Sequence, residues 1–394
     1  MPDDTDVPIG ARIADQRKRA GLTQHGLAGR IPYSYSTLRH VESGHRRPTP
    51  DLVAAVARAL HIDIETLTGP PVPSLLPAHV APLIRPIREA LDLYDLPADA
   101  GLRPRPTAVL VAEAEAACVG VRQGRLRQVA AALPALLAEL TNVCLERPSG
   151  EAWRALASVY RTAHDVTTKL GSYDLAARSL DRMGWAATHA GDPVLCAIRQ
   201  YKRALGYRSS GSDHGIGLRM VRAGHGILSA AEPGMERSAV EGQLHLGAAV
   251  IAARAADLSA TETHLAEAAE IAQRTGEVGR VHWLSFGPAN VASHEVYARL
   301  ALRQYGQALV VARALRPPRG WAPSRRAAAL VDRAWAEMET GRTAASLVSL
   351  QAARRLAPQQ TRLHPRVAQT VRGLRAVRRR TPDDLNLLAA WVGV

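Results

Sequence analysis

Phenylalanine occurs once in this chain of 394 residues, asparagine three times and lysine three times, so 47 of the 50 basic residues are arginine. Alanine, at 71 residues, is the counterpart of those shortages, and the pattern suits a very GC-rich genome. Arginine codons are GC-rich and lysine codons are not. The formal charge of +14 therefore carries a codon-usage component and does not by itself indicate a nucleic-acid binder.

Long apolar runs are also missing. Arginines or acids interrupt every stretch before 18 apolar residues accumulate, which argues against a membrane span. The first residues, MPDDTDVP, are acidic, where a secretory signal would begin basic and turn apolar, so the expected location is the cytoplasm. Cysteine is scarce and odd in number. Cys118, Cys144 and Cys196 are widely spaced, each within an apolar helical pattern, and read as buried core thiols.

The signatures of catalysis are absent too. None of Lys18, Lys169 and Lys202 follows a glycine, so there is no phosphate-binding GK[ST] loop. GIGLRM (215–220) lacks the last glycine of a dinucleotide fingerprint. His294-Glu295 would need a histidine at 298 to bind zinc as a protease does, and Ala298 stands there. Ser285 follows Trp283 by two residues, which is no nucleophile elbow. His164-Asp165 is an isolated pair in a helical stretch. The expectation is a protein without catalytic activity, cofactor or metal.

What is present begins with charge placement. Between Arg313 and Arg380 stand 16 arginines against Asp332, Glu337 and Glu339, a net of +13 that leaves +1 for everything else. A local +6 lies between Ile9 and Leu60, where nine basic residues meet Asp15, Glu42 and Asp51.

Residues 9–68 read as five short helices. Ile9, Ile13 and Arg17 fall on one face of the first, which ends at Gly21. Thr23 caps a second with Leu27 and Ala28 inward, stopped by Pro32. Ser34 caps a third with Leu38 and Val41 inward and Gly44 at its end. A fourth opens at Thr49 or Pro50 and buries Leu52, Val53, Val56 and Leu60, and Asp63 caps a last turn through Leu67.

Nine prolines fall within 69–106, interrupted by an amphipathic segment at 83–94, which marks a linker with a bracing helix. Beyond it the pattern is helical to the end, with turn anchors at Gly124, Gly171, Gly211, Asp257, Gln304 and Gly341, spaced by 47, 40, 46, 47 and 37 residues. Helix hairpins of that period bury their apolar stripes only by stacking into a superhelix with a concave face. The expected division is 1–69 for the five-helix domain, 70–106 for the linker and 107–394 for the repeats.

The segment GLTQHGLAGRIPYSYSTLRHVESGHRRPTPDLVAAVARALHID (21–63) resembles the helix-turn-helix domain of the Cro and cI repressors, the XRE family. The resemblance rests on Leu-Thr-Gln at the second helix, Leu27-Ala28, the Ser-x-Ser-Thr opening of the third helix, Glu42-x-Gly44, Arg47-Pro48, and Leu52 with Ala59-Leu60. It implies a lambda-repressor-like fold that binds double-stranded DNA, with Ser34, Tyr35, Ser36, Thr37, Arg39 and His40 toward the bases of a major groove. By the same resemblance Gln24 touches phosphate or braces the recognition helix, Arg46 and Arg47 clamp the backbone, Arg17 and Arg19 are weaker contacts, and Glu42 makes structural hydrogen bonds. Gly26, Gly29 and Pro32 depart from the family pattern, and the two glycines soften the second helix.

The hairpins resemble tetratricopeptide units, as in GSYDLA (171–176) and QYGQAL (304–309), although their period is longer. HWLSFGPANVASHEVYARL (282–300) resembles a Phe-Gly-Pro-x-Asn-x-x-x-His element of actinobacterial regulators that join an XRE-type domain to such repeats. Two readings of it stand side by side. Trp283, Phe286, Asn290 and His294 either line the concave groove and contact an effector, a peptide or a small molecule, or form core and helix-end ties. The arginine-rich segment is a solvated outer face, an added DNA-backbone contact or a groove for an acidic peptide or anionic metabolite. Together these features imply a dimeric transcriptional regulator, with a repeat scaffold for a partner protein as the alternative.

Overall fold

The computed structural model describes residues 9–60, 62, 66–67, 80–97, 101–208, 212–279, 281–377 and 382–394. The acidic first residues, most of the proline-rich stretch before residue 80, the Asp63 cap, Gly211 and Arg378 to Arg380 lie outside them. The fold is all-α. Apart from one isolated bridge between Val278 and Phe286, every regular element among the described residues is helical. It divides at 77/78 into two units.

The first unit contains α1 (Ile9–Arg19), α2 (Gln24–Ala28), α3 (Tyr35–Glu42) and α4 (Pro50–Leu60), with Thr66 and Leu67 helical beyond them. Its core is the one the helical spacing calls for. Ile13, Leu27, Leu38, Val41, Leu52 and Val56 are at most 2% exposed. Gly10 makes the crossing of α1 over α3 possible, since a Cβ there would stand 2.0 Å from the carbonyl oxygen of Val41.

The second unit opens with α5 (Ala81–Asp92), whose Ile84, Ile87 and Leu91 are buried. Arg88 pairs with Asp174 at 2.9 Å, and Tyr94 packs edge-on against Trp185 at 5.1 Å. Six helix hairpins follow: α6 (Thr107–Arg122) with α7 (Leu126–Glu146), α8 (Gly150–Lys169) with α9 (Tyr173–His189), α10 (Pro193–Ala204) with α11 (His214–Leu228), α12 (Met235–Arg254) with α13 (Leu258–Thr275), α14 (Pro288–Ala301) with α15 (Tyr305–Ala314), and α16 (Pro323–Glu339) with α17 (Thr343–Leu356). They pack in succession, and α18 (Pro358–Leu363), α19 (Pro365–Ala376) and α20 (Asp383–Val392) complete the stack, Leu385 and Leu388 being buried. Hairpin turns need one left-handed residue. Gly124, Gly171 and Gly341 supply it at φ of 78°, 86° and 75°, whereas Ala256 and Arg303 supply it without the freedom of glycine, at 60° and 59°.

Helix α7 is long and apolar enough to cross a membrane by length and composition, but most of it is buried inside this stack, as befits a core helix. Cys118 and Cys144 are buried, and burial pushes the Cys144 thiol up to about 12; Cys196 is only half-buried. Phe286 is fully buried against α12, where a Cβ on Gly242 would fall 2.0 Å from its ring. Gly242→Ala is accordingly expected to overpack the interior and lower stability by about 1–3 kcal/mol, read as a lower melting temperature of the full chain.

Candidate DNA-reading and effector-facing sites

Helix α3 starts where Ser34 accepts a hydrogen bond from Thr37 N at 3.2 Å, and α2 where Thr23 accepts one from Gly26 N at 3.0 Å. Leu38 and Val41 pin α3 to the core, which turns Ser36, Arg39 and His40 outward and exposed. Tyr35, half-buried, stacks on His25 at 3.8 Å between ring centroids. Thr37 is half-buried beside Ser34, with the two hydroxyls 3.0 Å apart. The His40 ring turns back on its own helix, Nδ1 lying 2.7 Å from the Ser36 carbonyl oxygen, so Nδ1 carries the proton. Arg46 and Arg47 are exposed in the turn after α3, where Arg46 N donates to His40 O at 3.0 Å.

Beneath that face lies a polar brace. Glu42 accepts from Arg17 Nε at 2.8 Å and Nη2 at 2.9 Å, and from Gln24 Nε2 at 2.7 Å. Arg17 also donates to the Leu22 carbonyl at 2.7 Å, joining α1, α2 and α3 through two side chains of which only 9% and 3% is exposed. The amide of Gln24 is thus engaged inside the unit. Arg19 pairs on the surface with Asp15 at 2.9 Å.

In the repeat unit, residues 276–279 and 281–287 belong to a pinned loop. Val278 and Phe286 exchange backbone hydrogen bonds of 2.7 and 2.9 Å, Glu277 accepts from Ala289 N at 2.7 Å, Arg122 donates to the Trp283 carbonyl and to Ser285 Oγ, and Arg161 donates to the His282 carbonyl. His282 and Trp283 sit at φ of 42° and 57°, a strain that this over-determination holds in place.

Trp283 is half-buried, whereas Asn290 is fully buried and bridges Gln243 Oε1 at 3.0 Å to the guanidinium of Arg325. His294 Nδ1 donates to Asn290 O at 2.8 Å, and burial next to Arg325 pulls its pKa down to about 3. The structure therefore brings Asn290 and His294 to one polar interior and sends Phe286 into the core. Of the arginine-rich segment, Arg325 and Arg366 turn inward while Arg313, Arg316, Arg319, Arg355 and Arg375 are exposed.

Among the described residues no three His, Cys, Asp or Glu are arranged to hold a metal ion. His225, His245 and His264 pack ring against ring, with His245 Nδ1 and His264 Nδ1 3.1 Å apart.

The solved structure of Bacillus thuringiensis PlcR in complex with the peptide PapR7 and DNA aligns at a TM-score of 0.33 and 10% identity, over 88% of this chain and 93% of that one. ComR from S. thermophilus in complex with DNA and its signalling peptide ComS aligns at 0.32 and 13%, over 82% and 99%. In sequence, the cryptic phage CTXphi transcriptional repressor RstR of Vibrio cholerae is 36% identical over 63 residues, 16% of this chain. The chain spans 56% of that relative's length. The family described as a helix-turn-helix domain matches residues 8–68, the segment that carries α1 to α4, and the first unit is a helix-turn-helix domain.

Proposed function

We propose that this protein is a DNA-binding transcriptional regulator of the XRE type, in which the first unit reads duplex DNA through α3 and the repeat unit senses an effector. The observation that carries the reading is the two-sided design of α3. Its apolar side and the Arg17–Glu42–Gln24 brace fix its pose, while Tyr35, Ser36, Arg39 and His40 are left at the outer surface of a helix of eight residues that fits a major groove. The bracing position of Gln24 supports the second of its two expected roles. Similarity to a phage repressor confined to this unit points the same way.

One such unit makes only a few base contacts, so two half-sites read by a homodimer would raise affinity by linking two binding events. A protein with this task works beside the chromosome, in the cytoplasm of the actinobacterial type of cell that the repeat resemblance implies.

Equilibrium binding to genomic fragments upstream of its own gene, across a salt series, tests the reading. Tyr35→Ala with His40→Ala is expected to remove the preference for one fragment, about 1–3 kcal/mol per lost base contact, while non-specific binding survives. Arg46→Ala with Arg47→Ala is expected to flatten the slope of log affinity against log salt by about 2 on every sequence. Equal affinity of the native protein for all fragments would reject the regulator reading.

A further inference from the structure

The first helices of the hairpins touch one another in succession, α6 to α8, α8 to α10 and onward to α16, and α16 in turn touches α6. Early and late segments are also tied directly. Arg127 N donates to Gln359 at 3.0 Å, and Lys169 Nζ to Gln360 Oε1 at 2.6 Å. A chain of hydrogen bonds crosses the interior from Tyr201 OH to Gln243 at 2.6 Å, to Asn290 at 3.0 Å and on to Arg325. What the succession encloses is polar, which no apolar stacking requires.

The charges there do not balance. Lys169, Lys202, Arg208, Arg325 and Arg366 face Asp165 and Asp332, and both carboxylates are taken, Asp165 by Lys202 at 2.7 Å and Asp332 by Arg366. Lys169 and Arg325 meet only the amide oxygens of Gln360 and Asn290, and Arg208 pairs with no carboxylate among the described residues. Arg161 is 3% exposed, spends its terminal nitrogens on the His282 carbonyl and Cys118 Sγ, and its Nε has no partner among the described residues.

The lining groups are surrounded by protein yet keep water contact, 17% for the Lys202 side chain and 28% for Asp165, as the wall of a concavity does. Burial, with Lys202, Arg325 and Arg208 nearby, pulls the Lys169 ammonium down to about 8 against the opposing pull of Asp165. Cations that act on one another in surroundings less polar than bulk water repel at a cost that an anion relieves, and guanidinium forks match carboxylate and phosphate oxygens.

We propose that this chamber binds a small organic polyanion, whose carboxylate or phosphate groups are received by Lys169, Arg208 and Arg325. The identification of that ligand as the effector rests on the regulator reading above; the site itself does not.

The test is calorimetric titration of the full chain with citrate and, separately, with inorganic pyrophosphate, each against sodium chloride of equal ionic strength. Saturable binding of either probe is expected, with the stronger probe assigning the carboxylate or the phosphate source. Lys169→Gln and Arg208→Gln are each expected to weaken it at least tenfold, and Arg355→Gln, on an exposed arginine, to leave it unchanged. Arg208 is partly exposed on the turn after α10, so its substitution spares the core. No saturable binding, or equal weakening by Arg355→Gln, overturns the site. Saturable binding that leaves DNA affinity untouched upholds the site and removes its role as a sensor.

Discussion

Arg17→Met is expected to unfold the helix-turn-helix unit and abolish DNA binding, because the Arg17 guanidinium is spent inside the unit on Glu42 and the Leu22 carbonyl. Glu42 has a side chain only 3% exposed and takes three of its hydrogen bonds from Arg17 and Gln24. Removing the guanidinium strands a buried carboxylate, which costs about 3–5 kcal/mol. A domain of this size has only about that much stability in reserve. The pair holds in the other direction as well: the hydrogen bond to Glu42 raises the Arg17 pKa above its ordinary value, so no accessible pH neutralises it. Hydrogen exchange of residues 9–60 in the full chain is the measurement, and loss of protection throughout that stretch the expected result. Arg17→Met with Glu42→Met, which removes both charges, should recover most of the protection; native protection in Arg17→Met alone would contradict the account.

That pair also marks how far the sequence could be read. The caps at Thr23 and Ser34 and the inward positions Leu38 and Val41 are local matters of side-chain chemistry and helical period, and the structure has them where the pattern puts them. The role of Gln24 is not local, because it depends on Glu42, 18 residues on, being within reach. Hairpin turns announce themselves through glycine at a left-handed position. Where Ala256 and Arg303 take that position, the visible anchors shift to the next residues, Asp257 and Gln304. For the cluster around Phe286 the sequence leaves two readings open, a groove surface and a core with helix-end ties. The Phe286 ring is committed to a gap opened by Gly242, and its neighbours Asn290 and His294 join a polar interior drawn from segments as distant as Lys169 and Arg366, which no spacing rule connects. The arginine-rich stretch divides for the same reason, since helical periodicity does not say which arginine meets Asp332 and which meets water.

The repeat unit is expected to lose stability steeply as the pH falls from about 6.5 to about 4. Burial holds His164, His245 and His282 down to about 4 and His294 and His364 down to about 3, aided by the neighbouring charges of Lys202, His225, Arg161, Arg325 and Arg366 respectively. In the unfolded chain the same rings take up a proton near 6.5. Below that pH the unfolded state therefore binds more protons than the folded one, and folding free energy declines by up to about 1.4 kcal/mol per pH unit for each ring that remains neutral. The depressed Asp165 adds a loss of the same sign at still lower pH, whereas the raised Asp332 opposes it. Melting of the full chain at constant ionic strength should show the decline between pH 6.5 and 4, and His294→Gln should make it shallower; a melting temperature unchanged from pH 7 to pH 5 would refute it. Three of the five rings, His164, His294 and His364, feel the charge of Arg208 in the cationic chamber, so protonating them adds positive charge where it is already in excess. An anion bound there should consequently raise their pKa values and blunt the acid loss, which ties the two behaviours to one electrostatic cause.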